Sequence, residues 1–243
     1  MVACRAKTER RRPPALPPAT APSVTYAMDI EQARFNMIEQ QVRTWDVLDQ
    51  DVLDLLFTVR REEFVPAAYR ALAFADLEIP LPGGERMWTP KMEARVVQEL
   101  RLRAGEAVLE IGTGSGYLTA LLSSLGTRVT SVEIDPALSA VAAAKLARAG
   151  VPPVELIVGD GARGFGSAQY DAIVLTGSTP VLPDAFARQL RPGGRLFAVV
   201  GDPPAMTARM VQWAAPGAAT TQDLFETVIA PLKNAATPSR FRF

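Results

Sequence analysis

The chain has 243 residues, of which 48% are hydrophobic and 21% charged, with 26 basic and 26 acidic residues, one cysteine and no histidine. This length suits one large domain, or a domain with a small accessory part. No apolar run approaches the ~18–20 residues that a membrane span needs. One cysteine excludes a disulfide framework and a cysteine-based zinc cluster. The lack of histidine excludes Ser-His-Asp hydrolysis, Cys-His proteolysis and HExxH zinc chemistry.

The first 27 residues combine proline with positive charge. They hold five of the 20 prolines, and five basic residues stand against one acidic residue, which gives +4 here and leaves −4 for the rest of the chain. So few apolar side chains cannot offset the entropy of ordering, and we expect a disordered tail. This segment is either a basic targeting arm or a plain tail that precedes a true first residue at Met28. The second alternative is favoured, because the segment lacks the apolar region of a signal peptide. The acidic remainder argues against a nucleic-acid substrate.

Helical periodicity begins at Asp29, which forms a possible capping box with Gln32 and starts a helix that extends to about Trp45. A second helix is predicted over about residues 49–59. Its buried stripe comprises Val52, Leu53, Leu55 and Leu56. After a stretch rich in proline and glycine, a third helix is predicted over residues 90–100, with proline in its first turn.

From residue 107 onward, short apolar runs alternate with helical patterns. Strands are predicted over residues 107–112, 128–134, 154–160, 170–176 and 195–200, with a closing pair over 208–214 and 225–232. Helices are predicted over residues 117–125, 136–149 and 183–190. Nearly continuous apolar strands separated by helices indicate a parallel sheet covered on both faces. We therefore divide the chain into a tail (1–27), a helical cap with the substrate-loop region (28–100), a core (101–233) and a C-terminal tail (234–243).

A glycine-rich turn joins the first core strand to the following helix. Residues 110–116 are Glu-Ile-Gly-Thr-Gly-Ser-Gly, and glycines let the backbone approach a ligand without obstruction by Cβ. The third glycine comes one residue too early for the NAD fingerprint, so the turn suits a ligand without a pyrophosphate. Glu110 can meet an ammonium group, which suits the methionine portion of S-adenosylmethionine. A tight turn without a ligand is the alternative.

Two further acids end the next two strands. Glu133 can accept both hydroxyls of a ribose, unless it is an ordinary exposed acid at a strand end. Asp160, in the sequence Gly-Asp-Gly, can accept the exocyclic amine of adenine, unless it forms an Asx turn. Because the carboxyl ends of parallel strands share one edge of a sheet, the turn and the two acids together predict a nucleoside site there.

The sequence resembles the class I S-adenosylmethionine-dependent methyltransferases and, within them, the protein-L-isoaspartate O-methyltransferase family. The resemblance covers most of residues 28–233. It is carried by REEFVPAAY (61–69), FAD (74–76), VLEIGTGSGYLTALL (108–122), SVEID (131–135), GDG (159–161), YDAIVLT (170–176), LRPGGRL (190–196) and APL (230–232). It implies an α/β, Rossmann-like doubly wound fold with a mostly parallel seven-stranded sheet and an N-terminal helical cap.

The resemblance also implies S-adenosyl-L-methionine as the cofactor. The implied cofactor-binding residues are Glu110, Gly112, Thr113, Gly114, Ser115, Gly116, Glu133, Asp160, Gly161 and Thr176. The implied reaction is methyl transfer to the free carboxylate of L-isoaspartyl residues in damaged proteins or peptides, after which the ester collapses without enzymatic help. A carboxylate that is already ionised at pH 7 needs no general base, which agrees with the missing histidine. We expect a cytoplasmic monomer that binds no metal, nucleic acid or membrane.

One segment departs from the family pattern. The family usually has a serine two residues before the proline of a G-Q-T-I-S-Q-P-like stretch, and that serine contacts the substrate. Here the stretch is GERMWTP (84–90), which places Trp88 at the serine position. Either the Thr89 hydroxyl takes its place, with Arg86 or Lys91 as a charged donor, or Trp88 packs and Thr89 caps the following helix. Arg86, Trp88 and Thr89 are therefore the catalytic candidates on the acceptor side.

Three other functions remain open from the sequence. The first is a methyltransferase acting on a small-molecule carboxylate or hydroxyl, and a tryptophan in the acceptor loop would favour an aromatic or apolar acceptor. A non-catalytic protein could keep the S-adenosylmethionine site without any transfer. A nucleic-acid amino-methyltransferase is disfavoured, because its (Asp/Asn)-Pro-Pro-(Tyr/Phe) loop is replaced by TGST (176–179).

Overall fold

The computed structural model describes residues 29–215 and 218–238. The predicted tail (1–27) and the last residues of the C-terminal tail (239–243) lie outside the described residues. Among the helices described, none is long and apolar enough to cross a membrane.

The helical cap begins where the sequence predicts. In α1 (Ile30–Met37), the Asp29 side chain accepts a hydrogen bond from the Gln32 backbone N–H at 3.1 Å. The Gln32 side chain donates instead to Asn36, so only half of the capping box forms. The helix continues through a π-turn (Ile38–Val42) and a 3₁₀ turn (Arg43–Trp45).

Two more helices complete the cap. In α2 (Gln50–Thr58) the four predicted stripe residues are buried, and α3 (Pro90–Leu100) starts at the predicted proline. Between them lie two 3₁₀ turns (Arg61–Glu63 and Ala67–Leu72) and a short hairpin of β1 (Ile79–Pro80) and β2 (Arg86–Met87), whose connection contains a third 3₁₀ turn (Pro82–Gly84). Arg86, Trp88 and Thr89 lie in or directly after this hairpin, at the edge of the core. The hairpin with these residues is here called the acceptor hairpin.

The core is a seven-stranded sheet. Its strands are β3 (Ala107–Ile111), β4 (Arg128–Glu133), β5 (Glu155–Val158), β6 (Tyr170–Leu175), β7 (Leu190–Asp202), β8 (Ala205–Ala215) and β9 (Ala218–Glu226). They lie in the order β5-β4-β3-β6-β7-β8-β9. The first five strands of this order are parallel to one another, β8 is antiparallel to β7, and β9 is antiparallel to β8. The mostly parallel, seven-stranded prediction is confirmed.

Both faces of the central strands are buried, which explains why these strands are almost continuously apolar. The buried apolar side chains form two clusters, one on each face of the sheet. Val108 and Val174 belong to the larger cluster, together with residues of the cap, α4 (Tyr117–Ser124) and α5 (Pro136–Ala149). Leu109 and Ile173 face the smaller cluster, which includes Phe186 of α6 (Asp184–Gln189).

The predicted strand over residues 225–232 is wrong. The last strand, β9, covers Ala218–Glu226, and the chain then leaves the sheet. Most side chains of β9 are exposed, because it is an edge strand, so it lacks an apolar alternation. Residues 229–232 are apolar for another reason: Ile229 is buried, and Leu232 packs at the edge of the site described next.

Candidate active site

A cleft lies at the carboxyl ends of the parallel strands, where open α/β sheets bind ligands. Its wall includes the glycine turn, both strand-end acids and part of the β1–β2 hairpin. A second cavity lies beside the first and shares Arg86, Trp88, Gly112, Gly114 and Thr176 with it. The lining of the first includes Glu78, Glu85, Arg86, Trp88, Gly112, Gly114, Glu133, Asp160, Gly161, Thr176 and Lys233.

The start of the glycine turn is tied to the next strand. Gly112 has φ +99°, and a Cβ there would lie 2.1 Å from the Thr176 hydroxyl. That hydroxyl donates to the carbonyls of Ile111 at 2.9 Å and Gly112 at 2.7 Å. Only glycine allows both this backbone conformation and this approach.

The rest of the turn leads into α4. Thr113 is buried and shares a 2.6 Å hydrogen bond with Ser131, while Ser115 accepts from the Tyr117 N–H at 3.2 Å. Gly116 serves α-helix packing: its Cβ would lie 3.2 Å from the Cβ of Ala142 in α5. The described structure therefore places Thr113 and Ser115 in the wall of the second cavity and Gly116 behind it.

Glu110 is a buried acid beneath the turn. Its Oε2 accepts hydrogen bonds from Thr119 at 2.5 Å and Ser131 at 2.6 Å. Its Oε1 has no hydrogen-bond partner among the residues that the structure describes, and the residue lines the second cavity. Its pKa is raised to about 7, mainly by burial and to a lesser extent by the charge of Glu133, against the hydrogen bonds from Ser131 and Thr119 that lower it. A cationic ligand group would give Oε1 a hydrogen-bond partner. Its positive charge would also offset the cost of burying the ionised carboxylate of Glu110.

The two strand-end acids sit differently. Glu133 is buried at the cleft and accepts from the N–H of Gly114 at 2.8 Å and of Asp135 at 3.0 Å, which fixes both of its oxygens. Asp160 forms the Asx turn named as its alternative, accepting from Ala162 N–H at 3.0 Å, and its other oxygen accepts from Asn234 at 2.9 Å. Both acids and Gly161 nevertheless line the cleft.

The acceptor end of the cleft carries a cation and an indole. Arg86 is more than half exposed, and its Nε lies 3.8 Å from Glu78, a residue that sequence analysis did not single out. Burial raises the pKa of Glu78, and Arg86 partly offsets this effect. Trp88 is 6% exposed and packs edge-on against Phe197, with ring centroids 6.3 Å apart, so its indole forms a wall.

Of the two readings of Thr89, the structure contains the capping one. The Thr89 hydroxyl accepts from the Met92 N–H at 3.4 Å as the cap of α3. Lys91 pairs with Asp76 at 2.6 Å and lies over the Trp45 ring. Neither Thr89 nor Lys91 belongs to the described lining of the two cavities, whereas Arg86 belongs to both.

Sequence analysis also missed the segment that covers the cleft, residues 229–234, here called the C-terminal strap. Ser178 donates its N–H to Ala230 O and accepts from Leu232 N–H, both at 2.9 Å. Lys233 then pairs with Glu85 of the hairpin at 2.8 Å, and this pairing raises the pKa of Lys233. The Ala-Pro-Leu motif directly before Lys233 was the available signal, but its partners lie far away in the sequence.

These residues fit an adenosyl sulfonium with an amino-acid tail. Glycines without Cβ atoms give a nucleoside room at the turn, Glu133 offers a fixed carboxylate, and Glu110 offers an orphaned oxygen to an ammonium group. In the described part of the chain, no group of three or more His, Cys, Asp or Glu side chains could hold a metal ion.

Comparisons with known proteins identify the family of the chain. The family model for "Protein-L-isoaspartate(D-aspartate) O-methyltransferase (PCMT)" matches residues 32–236. The chain is 37% identical, over 83% of its length and 95% of the relative's, to a protein-L-isoaspartate O-methyltransferase of Methylorubrum populi. It is 34% identical, over 90% of its length and 88% of the relative's, to a protein of the same name in Aeropyrum pernix.

A solved structure supports the fold. A Plasmodium falciparum protein described as a protein-L-isoaspartate O-methyltransferase, crystallised with S-adenosyl-L-homocysteine, superposes with a TM-score of 0.72. It is 17% identical in sequence, and the match covers 83% of this chain and 97% of that one. The resemblance in the motifs is thus confirmed over nearly the whole described chain, which belongs to the protein-L-isoaspartate O-methyltransferase family.

Proposed function

We propose that the protein is an S-adenosylmethionine-dependent O-methyltransferase that methylates the free carboxylate of L-isoaspartyl residues in damaged proteins and peptides. The observation that carries this proposal is a pair of adjacent cavities whose shared wall combines the glycine turn with Arg86 and Trp88, in a chain of this family.

The cofactor is assigned along the cleft by the chemistry of its wall. Asp160 and Gly161 would hold the adenine, and Glu133 would accept the ribose hydroxyls through charge-assisted hydrogen bonds. Gly112 and Gly114 would leave room for the amino-acid tail, and Glu110 would pair with its ammonium group. Arg86 and Trp88, which line both cavities, would then be on the side of the sulfonium group.

The acceptor needs positioning more than activation. When bound, the cofactor supplies a methyl group already activated by the positive sulfur. The acceptor carboxylate is ionised at neutral pH, so its oxygen would form the new C–O bond without a general base, and the electron pair of the broken S–C bond would stay on sulfur. The two opposite charges cancel, and holding the partners in line supplies up to ~7–11 kcal/mol in well-oriented systems.

Arg86 is the residue that we assign to the acceptor carboxylate. Its guanidinium is exposed at the mouth of the cleft and only loosely paired with Glu78, so a carboxylate can take a bidentate place on it. Thr89 is occupied as a helix cap and does not replace the family's serine. Trp88 excludes water from the same end.

Two synthetic peptides that differ only in an L-isoaspartyl or an L-aspartyl residue test this proposal. We expect methyl transfer to the isoaspartyl peptide alone. Arg86→Met should raise the KM for that peptide about tenfold, since a charge-assisted pair is lost. Lys91→Met is the matched control, because Lys91 is paired with Asp76 away from the cleft, and should change neither KM nor kcat. Transfer to neither peptide would refute the acceptor while leaving the cofactor site to be tested by binding.

We also propose that the protein acts as a cytoplasmic monomer on protein acceptors and not on nucleic acid. The net charge of −4 outside the N-terminal segment supports the second part. Light scattering and cell fractionation test the first part, and a stable dimer or a membrane-bound pool would contradict it.

A further inference from the structure

Arg61 is a buried cation between the cap and the cleft. It is 1% exposed and donates from Nε to the Ala73 carbonyl at 2.9 Å and from its terminal nitrogen to the Trp88 carbonyl at 2.6 Å. Its remaining terminal nitrogen forms an ion pair with Glu93. Burial lowers its pKa to about 10, which still leaves it charged near neutral pH.

The contacts of Arg61 join the two halves of the site. Trp88 belongs to the acceptor hairpin, and Glu93 lines the second cavity from α3. The face of the guanidinium lies 5.2 Å from the ring centre of Tyr117, the first residue of α4 after the glycine turn. One rigid side chain therefore touches the backbone of the acceptor loop and the helix that begins at the cofactor loop.

Stability alone does not account for this arrangement. Replacing a buried ion pair by neutral groups is often neutral or stabilising, because desolvation costs as much as the pair returns. Arg34 offers a comparison in the same cap: it is also 1% exposed and pairs with Glu62 at 2.5 Å. Its recorded partners are Glu31, Glu62 and the Phe74 ring, and none of them belongs to the cleft lining.

We propose that Arg61 is a positioning residue for methyl transfer: by holding the Trp88 carbonyl, it fixes the acceptor loop at the working distance from the methyl donor. This inference rests on the proposed function, because it takes the loop as the wall of the acceptor site. The cofactor turn has its own bonds, from Gly112 N–H to Val132 O and from Gly114 N–H to Glu133. Loss of Arg61 should therefore affect the acceptor and spare cofactor binding.

The test compares two double variants, Arg61→Met/Glu93→Gln and Arg34→Met/Glu62→Gln. Each removes one buried cation together with the charge of its buried partner. Thermal unfolding should show that both are folded at the assay temperature, and S-adenosylhomocysteine should bind both as tightly as it binds the wild type. Only the Arg61 variant should lose kcat/KM for the isoaspartyl peptide, by about ten- to a hundredfold, as expected for a misplaced acceptor.

A fluorescence readout keeps the inference separate from the identity of the acceptor. The chain has three tryptophans, and a Trp45→Phe/Trp213→Phe background leaves Trp88 as the only indole. Acrylamide should quench Trp88 more strongly in the Arg61 variant than in the wild type or the Arg34 variant. If the wild type methylates no peptide, the proposed function fails, and the quenching still decides on Arg61.

A conservative variant guards against a folding failure. Arg61→Lys keeps the charge for Glu93, but an ammonium group lacks the planar fork that serves two carbonyls and a carboxylate together. It should fold and show the same acceptor defect and the same increase in quenching. Wild-type kinetics in Arg61→Lys, or equal losses in the two double variants, would overturn the proposal.

Discussion

Binding of the cofactor should depend on pH through Glu110. Burial, with a smaller effect of repulsion from Glu133, raises the pKa of this carboxyl from its ordinary value of 4.5 to about 7, against the hydrogen bonds from Ser131 and Thr119 that lower it. The difference corresponds to about 3 kcal/mol against ionisation in the cofactor-free protein. Because this pKa is raised by folding, its contribution to the free energy of unfolding is present below about pH 4.5 and is lost as pH rises through about 7.

An ammonium group placed beside Glu110 Oε1 reverses the preference. It stabilises the carboxylate, so binding expels the proton that the free protein holds below about pH 7. With an affinity proportional to the ionised fraction, S-adenosylhomocysteine should bind about tenfold more weakly at pH 6 than on the plateau. The measurement is confined to pH values at which the α-amino group of the ligand keeps its proton.

Calorimetric titration of S-adenosylhomocysteine over this range measures the effect. Buffers of different ionisation enthalpy should reveal the release of up to one proton. Glu110→Gln should bind weakly with a flat pH profile. The control Glu133→Gln should bind weakly but stay dependent on pH, with its profile moved to lower pH because the repulsion that raises the pKa of Glu110 is lost. A flat wild-type profile, or an unchanged slope in Glu110→Gln, would refute the assignment of the ammonium group to Glu110.

Three further predictions concern the same cleft. Glu133→Ala should weaken S-adenosylmethionine binding by ~1–3 kcal/mol through lost charge-assisted hydrogen bonds, and an unchanged affinity in equilibrium dialysis would remove Glu133 from the site. Gly112→Ala should lower the free energy of unfolding by about 1–3 kcal/mol and abolish cofactor binding, because the added Cβ contacts the Thr176 hydroxyl in a strained backbone conformation. Wild-type stability in chemical denaturation together with wild-type cofactor affinity would contradict this. Lys233→Met should leave the Tm unchanged, since exposed ion pairs contribute little to stability. It should speed the dissociation of S-adenosylhomocysteine, because the C-terminal strap loses its ion pair with Glu85. Equal dissociation rates for variant and wild type in stopped-flow measurements would refute this role of Lys233.

The sequence was most informative where burial shapes composition. Strands β3 and β6 are covered on both faces, so their runs of apolar residues identified them and placed Glu110 and Thr176 at their ends. The glycine turn could be predicted because Gly112 meets a conformational demand that no other residue satisfies. The buried strands and the glycine turn each depend on a few consecutive residues, so the pattern of those residues is enough to predict them.

The remaining features depend on contacts between distant segments. Strand β9 escaped prediction because an exposed edge leaves no apolar alternation. Asp160 is shared between its own turn and Asn234, 74 positions away. Arg61 and Trp88 meet only after the cap has folded, and nothing in their spacing marks that hydrogen bond.

A crystal structure with S-adenosylhomocysteine bound is the most direct test of the central claim. We expect the ribose hydroxyls on Glu133, the amino-acid tail over the glycine turn with its ammonium group beside Glu110, and the sulfur facing Arg86 and Trp88. A ligand bound away from the carboxyl ends of β3 and β4, or one whose sulfur points away from the acceptor hairpin, would contradict the account.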